Sequence, residues 1–211
     1  MGVMTGKALN VMLGVNQLRA IAIQAPTSMN IGKRDLVHGI HQISGTADAE
    51  FVAATSSLRI FGSTDGAGLF LPWLSGQRDM TSGASYDLGS VTPPIASTDK
   101  ISWVVTGPFS GCHAYTFEST GGYSFAHFTT AAASETICRS IPEQVVGVKA
   151  QLPGGTGTVK ENIHVTPVGM SFGWVFWMRT DSGWQRRIIR TSQPNQGLAN
   201  IQKVESAVAI S

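Results

Sequence analysis

From Gly62 onward the sequence is a succession of short runs rich in β-branched and aromatic residues, separated by glycine, proline and Asp-Ser-Gly breaks. AGLFLPW (67–73), KISWVVTG (100–107), HAYTFE (113–118), YSFAHFT (123–129), EQVVGVKAQ (143–151), ENIHVTPVG (161–169), SFGWVFWMRT (171–180) and WQRRIIRTS (184–192) each read as a strand. Many short strands with regular turns predict a β-sandwich or a closed sheet. Helix-length segments appear only before residue 60. ALNVMLGVNQLRAIAIQ (8–24) is compatible with a helix, although Gly14 and the β-branched residues leave it ambiguous. ADAEFVAATSSLRIFG (47–62) reads as strand throughout, or as a helix passing into a strand. No repeat or linker interrupts the chain, so one domain spanning 1–211 is expected.

Composition narrows the function. Of 211 residues, 42% are hydrophobic, enough for a substantial core, and only 13% are charged, where roughly a quarter is usual. A net charge of +2 argues against a nucleic-acid partner. The one basic cluster, Trp184 to Arg190, reads as a strand with an exposed basic face, or else as a docking patch for an acidic protein. No apolar run reaches the roughly 18 residues of a membrane span. The first fifteen residues make a poor signal peptide, and Gly6 stands where a myristoylation motif needs Ser or Thr. His38 and His41 have metal-ligand spacing but no third ligand nearby, so they read as surface histidines. His164 is likewise expected to be incidental.

Cys112 and Cys138 are the only cysteines. A functional thiol at Cys112 is a better reading than a disulfide, because Ser110-Gly111-Cys112 forms a corner between two strand-like runs. If residues 112–129 form a hairpin with an even loop in ESTGG, Cys112, Ala114, Thr116 and Glu118 share a face with Tyr123, Phe125, His127 and Thr129. Cys112 and His127 are then opposite or diagonal, with Cβ atoms about 5–8 Å apart. That is the pairing a thiol nucleophile needs: an imidazolium lowers the thiol pKa and returns a proton to the leaving group. Gly111 lets the backbone turn so that the amides of 111 and 112 face a developing oxyanion. An odd loop would separate the two side chains. On periodicity alone, a buried small Cys112 and a satisfied core His127 are an equal alternative.

T-x-x-x-S-G-C (Thr106, Ser110, Gly111, Cys112), the downstream Phe125-Ala126-His127 and the upstream LPW-x-x-G (Leu71, Pro72, Trp73, Gly76) resemble the Burkholderia lethal factor family. Those toxins are related in fold to the catalytic domain of the cytotoxic necrotizing factors. The resemblance covers roughly 71–129. It implies an α+β, strand-dominated fold: a β-sandwich of mostly antiparallel strands with flanking helices. It also implies a toxin that deamidates a glutamine of a host protein, with Cys112 as nucleophile, His127 as general base and acid, Thr106 as a supporting residue, and no metal or cofactor. The expected partner is a host protein carrying the target glutamine. A translation initiation helicase (4A) and the Rho-family GTPases are the family's known targets. Neither nucleic acid nor membrane is expected as a partner, and the chain reads as a monomer, secreted or translocated into host cytoplasm without a recognisable signal peptide. Trp73, Phe109 and Tyr123 are expected to rim an uncharged, shallow substrate site. Two further readings fit the same residues: another Cys-His acyl-transfer enzyme (a transglutaminase or thiol protease), and a non-catalytic β-sandwich binding module.

Overall fold

The computed structural model describes all residues except 1–2, 16, 36, 75–76, 79–84, 87–88, 130–139 and 194–196. In chain order the elements are α1 (Gly6–Gly14), β1 (Ala20–Ile23), β2 (Asn30–Asp35), β3 (Ile40–Val52), β4 (Ser57–Gly62), β5 (Gly68–Leu71), β6 (Gln77–Arg78), β7 (Ser85–Tyr86) and β8 (Gly89–Val91). They continue with β9 (Trp103–Phe109), β10 (His113–Ser119), β11 (Gly122–Phe128), α2 (Ile141–Gln151), β12 (Thr158–His164), β13 (Phe172–Thr180), β14 (Gly183–Thr191), β15 (Leu198–Val204) and β16 (Val208–Ala209).

The chain is strand-dominated, as its turn-punctuated sequence predicts, but the strands close rather than form a simple sandwich. The order β3-β4-β1-β15-β14-β13-β9-β5 returns to β3 through a β3–β5 pairing, giving a mixed barrel with parallel β1–β4 and β5–β9 contacts. Closure removes the unpaired edges that each half would expose. The pivot is β3, which is thirteen residues long. Its end (45–52) pairs with β5 and β4 in the barrel, and its start (40–44) pairs with β8 and β2 in a second sheet. That sheet continues from β8 through β11 and β10 to β12.

Three apolar layers arise from period-two alternation along these strands. Trp103, Val105, Phe176 and Met178 fill the barrel, with Leu9 and Leu13 added from α1. Val104, Val175 and Trp177 point the other way and meet Ala114 and Phe125 of the second sheet. The far face of that sheet, with Tyr115, Phe117 and Phe128, packs on Val148 and Leu152 at α2.

Residues 143–151, expected as a strand, lie in α2. The start signal is local: Ser140 caps the Glu143 amide, the Glu143 carboxylate accepts from the Ser140 N–H at 2.7 Å, and Pro142 stands in the first turn. The 8–24 segment divides into α1 and β1, and 47–62 is a hairpin of β3 and β4. The basic run in β14 is not an exposed face. Arg186 binds Glu161 at 2.9 Å and Arg190 binds Glu205 at 3.2 Å, each arginine side chain only 11% exposed, while Arg187 donates to Asn10 of α1. These charges tie layers together.

Candidate active site

The sequence-predicted residues Thr106, Phe109, Cys112 and His127 meet between the barrel wall and the second sheet. β9 supplies the first two. Regular alternation directs Val104 and Thr106 away from the barrel interior and would direct Phe109, three positions on, into it. A bulge prevents this. Val175 faces Thr106 and Gly173 faces Phe109, so Gly107 and Pro108 together oppose Trp174 alone. Gly107 has φ +148°, and a Cβ there would lie 2.6 Å from the Trp174 ring. The inserted residue reverses the parity, and Phe109 joins Thr106 on the outer side.

The β10–β11 hairpin has a two-residue loop, Thr120-Gly121, with Ala114 opposite His127, Thr116 opposite Phe125 and Glu118 opposite Tyr123. The loop is even, so Cys112 and His127 lie on one face in the diagonal arrangement. Diagonal neighbours stand roughly 7–8 Å apart at the backbone, within reach of a ring.

His127 is 1% exposed. Its Nδ1 is 2.8 Å from Thr106 Oγ1, and its ring stacks on Phe109 with centroids 3.9 Å apart and planes 12° from parallel. Burial holds its pKa down at about 3, because a dry setting disfavours the cation. The imidazole is therefore neutral near neutral pH. The expected resting imidazolium beside the thiol is not what this environment favours; a thiol beside a neutral base is. Thr106 can accept from Nδ1–H, and that tautomer leaves a lone pair on Nε2. Nε2 is buried without a hydrogen-bond partner among the described residues. Catalytic hydrogen bonds often form only in the substrate complex.

The corner itself is held by the chain just past β12. The Gly111 N–H donates to the Val165 carbonyl at 3.1 Å, and the Val165 N–H donates to the Cys112 carbonyl at 3.0 Å. Gly111 is at φ +125°. The expectation that the 111 amide faces a reacting oxyanion is thus corrected, since Val165 already takes it. Cys112 is 8% exposed, and Ser110, two residues before it, is exposed. Cys138 and Gly76 lie outside the described residues.

The aromatic rim needs revision. Phe109 is fully buried and supports His127 from within. Tyr123 is four residues along β11 from His127, roughly 13 Å at strand spacing, and packs near Trp184 instead. Trp73 is 45% exposed. Its neighbours bring it to the site: Leu71 pairs with Thr106, while Ser90, opposite His127, donates to the Pro72 carbonyl at 2.6 Å. His164, expected to be incidental, lies opposite His113 on β12, and its Nε2 is 3.0 Å from the Gly111 carbonyl oxygen, a contact that sequence reasoning did not anticipate. Only the non-local β10–β12 register reveals it.

No protein-family model matches this sequence, and no curated protein matches it. Among solved structures, the C-terminal domain of CNFy from Yersinia pseudotuberculosis aligns at 10% identity over 78% of this chain and 72% of that one, with a TM-score of 0.27. A superposition that loose carries no weight for fold or chemistry.

Proposed function

We propose that this chain is a cysteine-dependent protein-glutamine deamidase, with Cys112 as nucleophile, His127 as proton carrier and Thr106 as the group that orients the imidazole. The observation that carries the reading is the buried Thr106–His127 hydrogen bond at 2.8 Å on the face shared with Cys112. A core histidine kept only for packing would gain nothing from an orphaned inner nitrogen, which costs stability. A base awaiting a proton needs one.

Cys112 Sγ adds to the carboxamide carbon of a glutamine while its proton passes to His127 Nε2. The C–N bond then breaks, and His127 protonates the departing ammonia. The low basicity that burial gives His127 makes its protonated form a strong donor for that step. Water adds to the thioester, the C–S bond breaks, and the thiol regains its proton, so glutamine and water become glutamate and ammonia. Between Thr106 and Thr129 the only formal charge is Glu118, and free glutamine offers two charged termini with nothing there to pair them. A glutamine on a folded host protein suits the site better, with much of the binding energy drawn from surface remote from the reaction. The helicase and GTPase targets of the resembling toxins are the first proteins to try.

The test is purified protein in a eukaryotic lysate, followed by mass spectrometry. A gain of about one mass unit at a specific glutamine, lost in Cys112→Ser, is expected. Cleavage would instead indicate a protease, amine incorporation a transglutaminase, and no covalent change a binding module.

A further inference from the structure

We propose that a cleft along β3, lined by neither Cys112 nor His127, is a binding site for a neutral saccharide. The strand creates this cleft by changing sheets. On one side β3 exchanges β8, paired at 40–42, for β5, paired at 45–47. On the other it exchanges β2, paired as far as Ser44, for β4, paired from Ala47. Each pair of partners diverges at the crossing and leaves a hollow, about 360 Å³ beside β5 and about 330 Å³ beside β4. Asn30 and Thr46 line both, so the two hollows meet at β3.

The lining divides by chemistry. Period-two alternation puts Gln42, Ser44 and Thr46 on one face of β3, spread over roughly 13 Å, and Asn30 lies opposite Ser44 on β2. Beside β4 the lining adds Thr27, Ser28, Ser63 and Thr64. Among the described residues, none of these eight side chains makes a hydrogen bond within the protein, so their hydroxyl and amide groups are uncommitted. The apolar part is Leu69, Pro93, Pro94, Ile95 and Ile101. Asp99 and Lys100, the ionised residues of the lining, cancel in charge and are tied to backbone: the Asp99 carboxylate accepts from the Ala96 N–H at 2.7 Å, and the Lys100 ammonium donates to the Thr64 carbonyl at 3.2 Å. The cleft thus offers no net charge to repay the desolvation of a phosphate or carboxylate. A ligand hydroxyl, which both donates and accepts, matches serine, threonine and amide side chains. A sugar ring carries hydroxyls along its edge and C–H groups on its faces, the same division that the lining shows.

The experiment is an NMR titration of the purified full chain with maltose, lactose, cellobiose and chitobiose, with inorganic phosphate as the charged control. At least one disaccharide should shift the amide resonances of Asn30, Gln42, Ser44 and Thr46 and saturate in the millimolar range, while phosphate leaves them in place. Thr46→Val removes one hydroxyl at nearly constant shape, and the lost hydrogen bond should weaken that disaccharide about 2–10-fold. Ile101→Ala trims the apolar part and should weaken it as well. Resonances away from the cleft report whether each variant is folded. The wild-type titration decides the proposal even where a variant does not fold: no saturable shift with any of the four disaccharides, or shifts confined to residues outside the cleft, would overturn it. So would phosphate moving the same amides, which would mark an anion site, or a folded Thr46→Val that binds with wild-type affinity.

Discussion

His127 makes acid a specific threat to this fold. In the unfolded chain its pKa takes the ordinary value of 6.5, and in the folded protein burial holds it at about 3. Between those values the unfolded state binds a proton that the folded state does not, so acid draws the equilibrium toward unfolding. The stabilisation from a neutral buried His127 is complete above pH 6.5 and is lost progressively as pH falls toward 3. Each pH unit in that window is worth about 1.4 kcal/mol, so pH 4.5 costs roughly 2.7 kcal/mol and the whole window roughly 5. Domain stabilities are themselves only about 5–15 kcal/mol. The perturbation is His127→Gln, which keeps a polar partner for Thr106 but does not titrate. The variant is less stable near neutral pH, since the Phe109 stack is lost, yet its loss between pH 7.0 and 4.5 should be smaller than wild type by about 2–3 kcal/mol. At a urea m-value of about 2 kcal/mol per molar, that is a difference of about 1.3 M in how far the two midpoints move. The rest of the chain is common to both proteins, so its contribution to the pH dependence cancels in the comparison. Equal midpoint shifts would refute the argument, because His127 would then be charging in the folded state without penalty.

Cys112→Ser should remain folded, with a urea midpoint near wild type, and lose all deamidation measured as ammonia release; Cys138→Ser should retain activity. Thr106→Val leaves His127 Nδ1 without its partner and should cost about 1–3 kcal/mol in urea unfolding together with a fall in activity smaller than that of His127→Ala, which general acid–base loss sets at about 10²–10⁴-fold. Glu161→Ala abandons the nearly buried Arg186 and should cost about 3 kcal/mol by the same measurement, with no change in the rate at which iodoacetamide modifies Cys112. Ser140→Ala removes the cap of α2 and should cost about 1 kcal/mol.

Sequence reading recovers what depends on local chemistry. The register of β10 and β11 is set by the turn in ESTGG and by alternation, so the shared face of Cys112 and His127 is legible in the sequence itself. The barrel is not separable from a sandwich, because closure depends on β3 meeting β5 and β4 at one end and β8 at the other. Nothing in the sequence of a thirteen-residue strand announces that it changes sheets halfway. The error at α2 is of another kind. Its buried residues, Gln144, Gly147, Val148 and Gln151, recur at helical spacing, and the Ser140/Glu143 capping box is present in the sequence. Two adjacent valines outweigh it in a strand reading. The arginines of β14 read as a surface patch because their partners, Glu161, Glu205 and Asn10, lie 15 to 177 residues away.

The bulge at Gly107-Pro108 connects these lessons to the site. A strand of period two assigns Thr106 and Phe109 to opposite faces, and any sequence argument that respects alternation must separate them. A histidine that carries protons for Cys112 requires them together, since Thr106 fixes one nitrogen of His127 while Phe109 covers its ring. One extra residue satisfies both demands. It leaves Trp103 and Val105 in the barrel core and rotates only the residues beyond it. The Gly-Pro pair that looks in sequence like the end of a strand is therefore the point at which the strand changes which face it presents. Phe109→Ala removes the ring that the bulge aims at His127 and should open that side of the imidazole to water. The imidazole should then titrate closer to its ordinary value, read by NMR between pH 7 and 4. A folded variant in which His127 still resists protonation across that range would show that the ring the bulge delivers does not build the site.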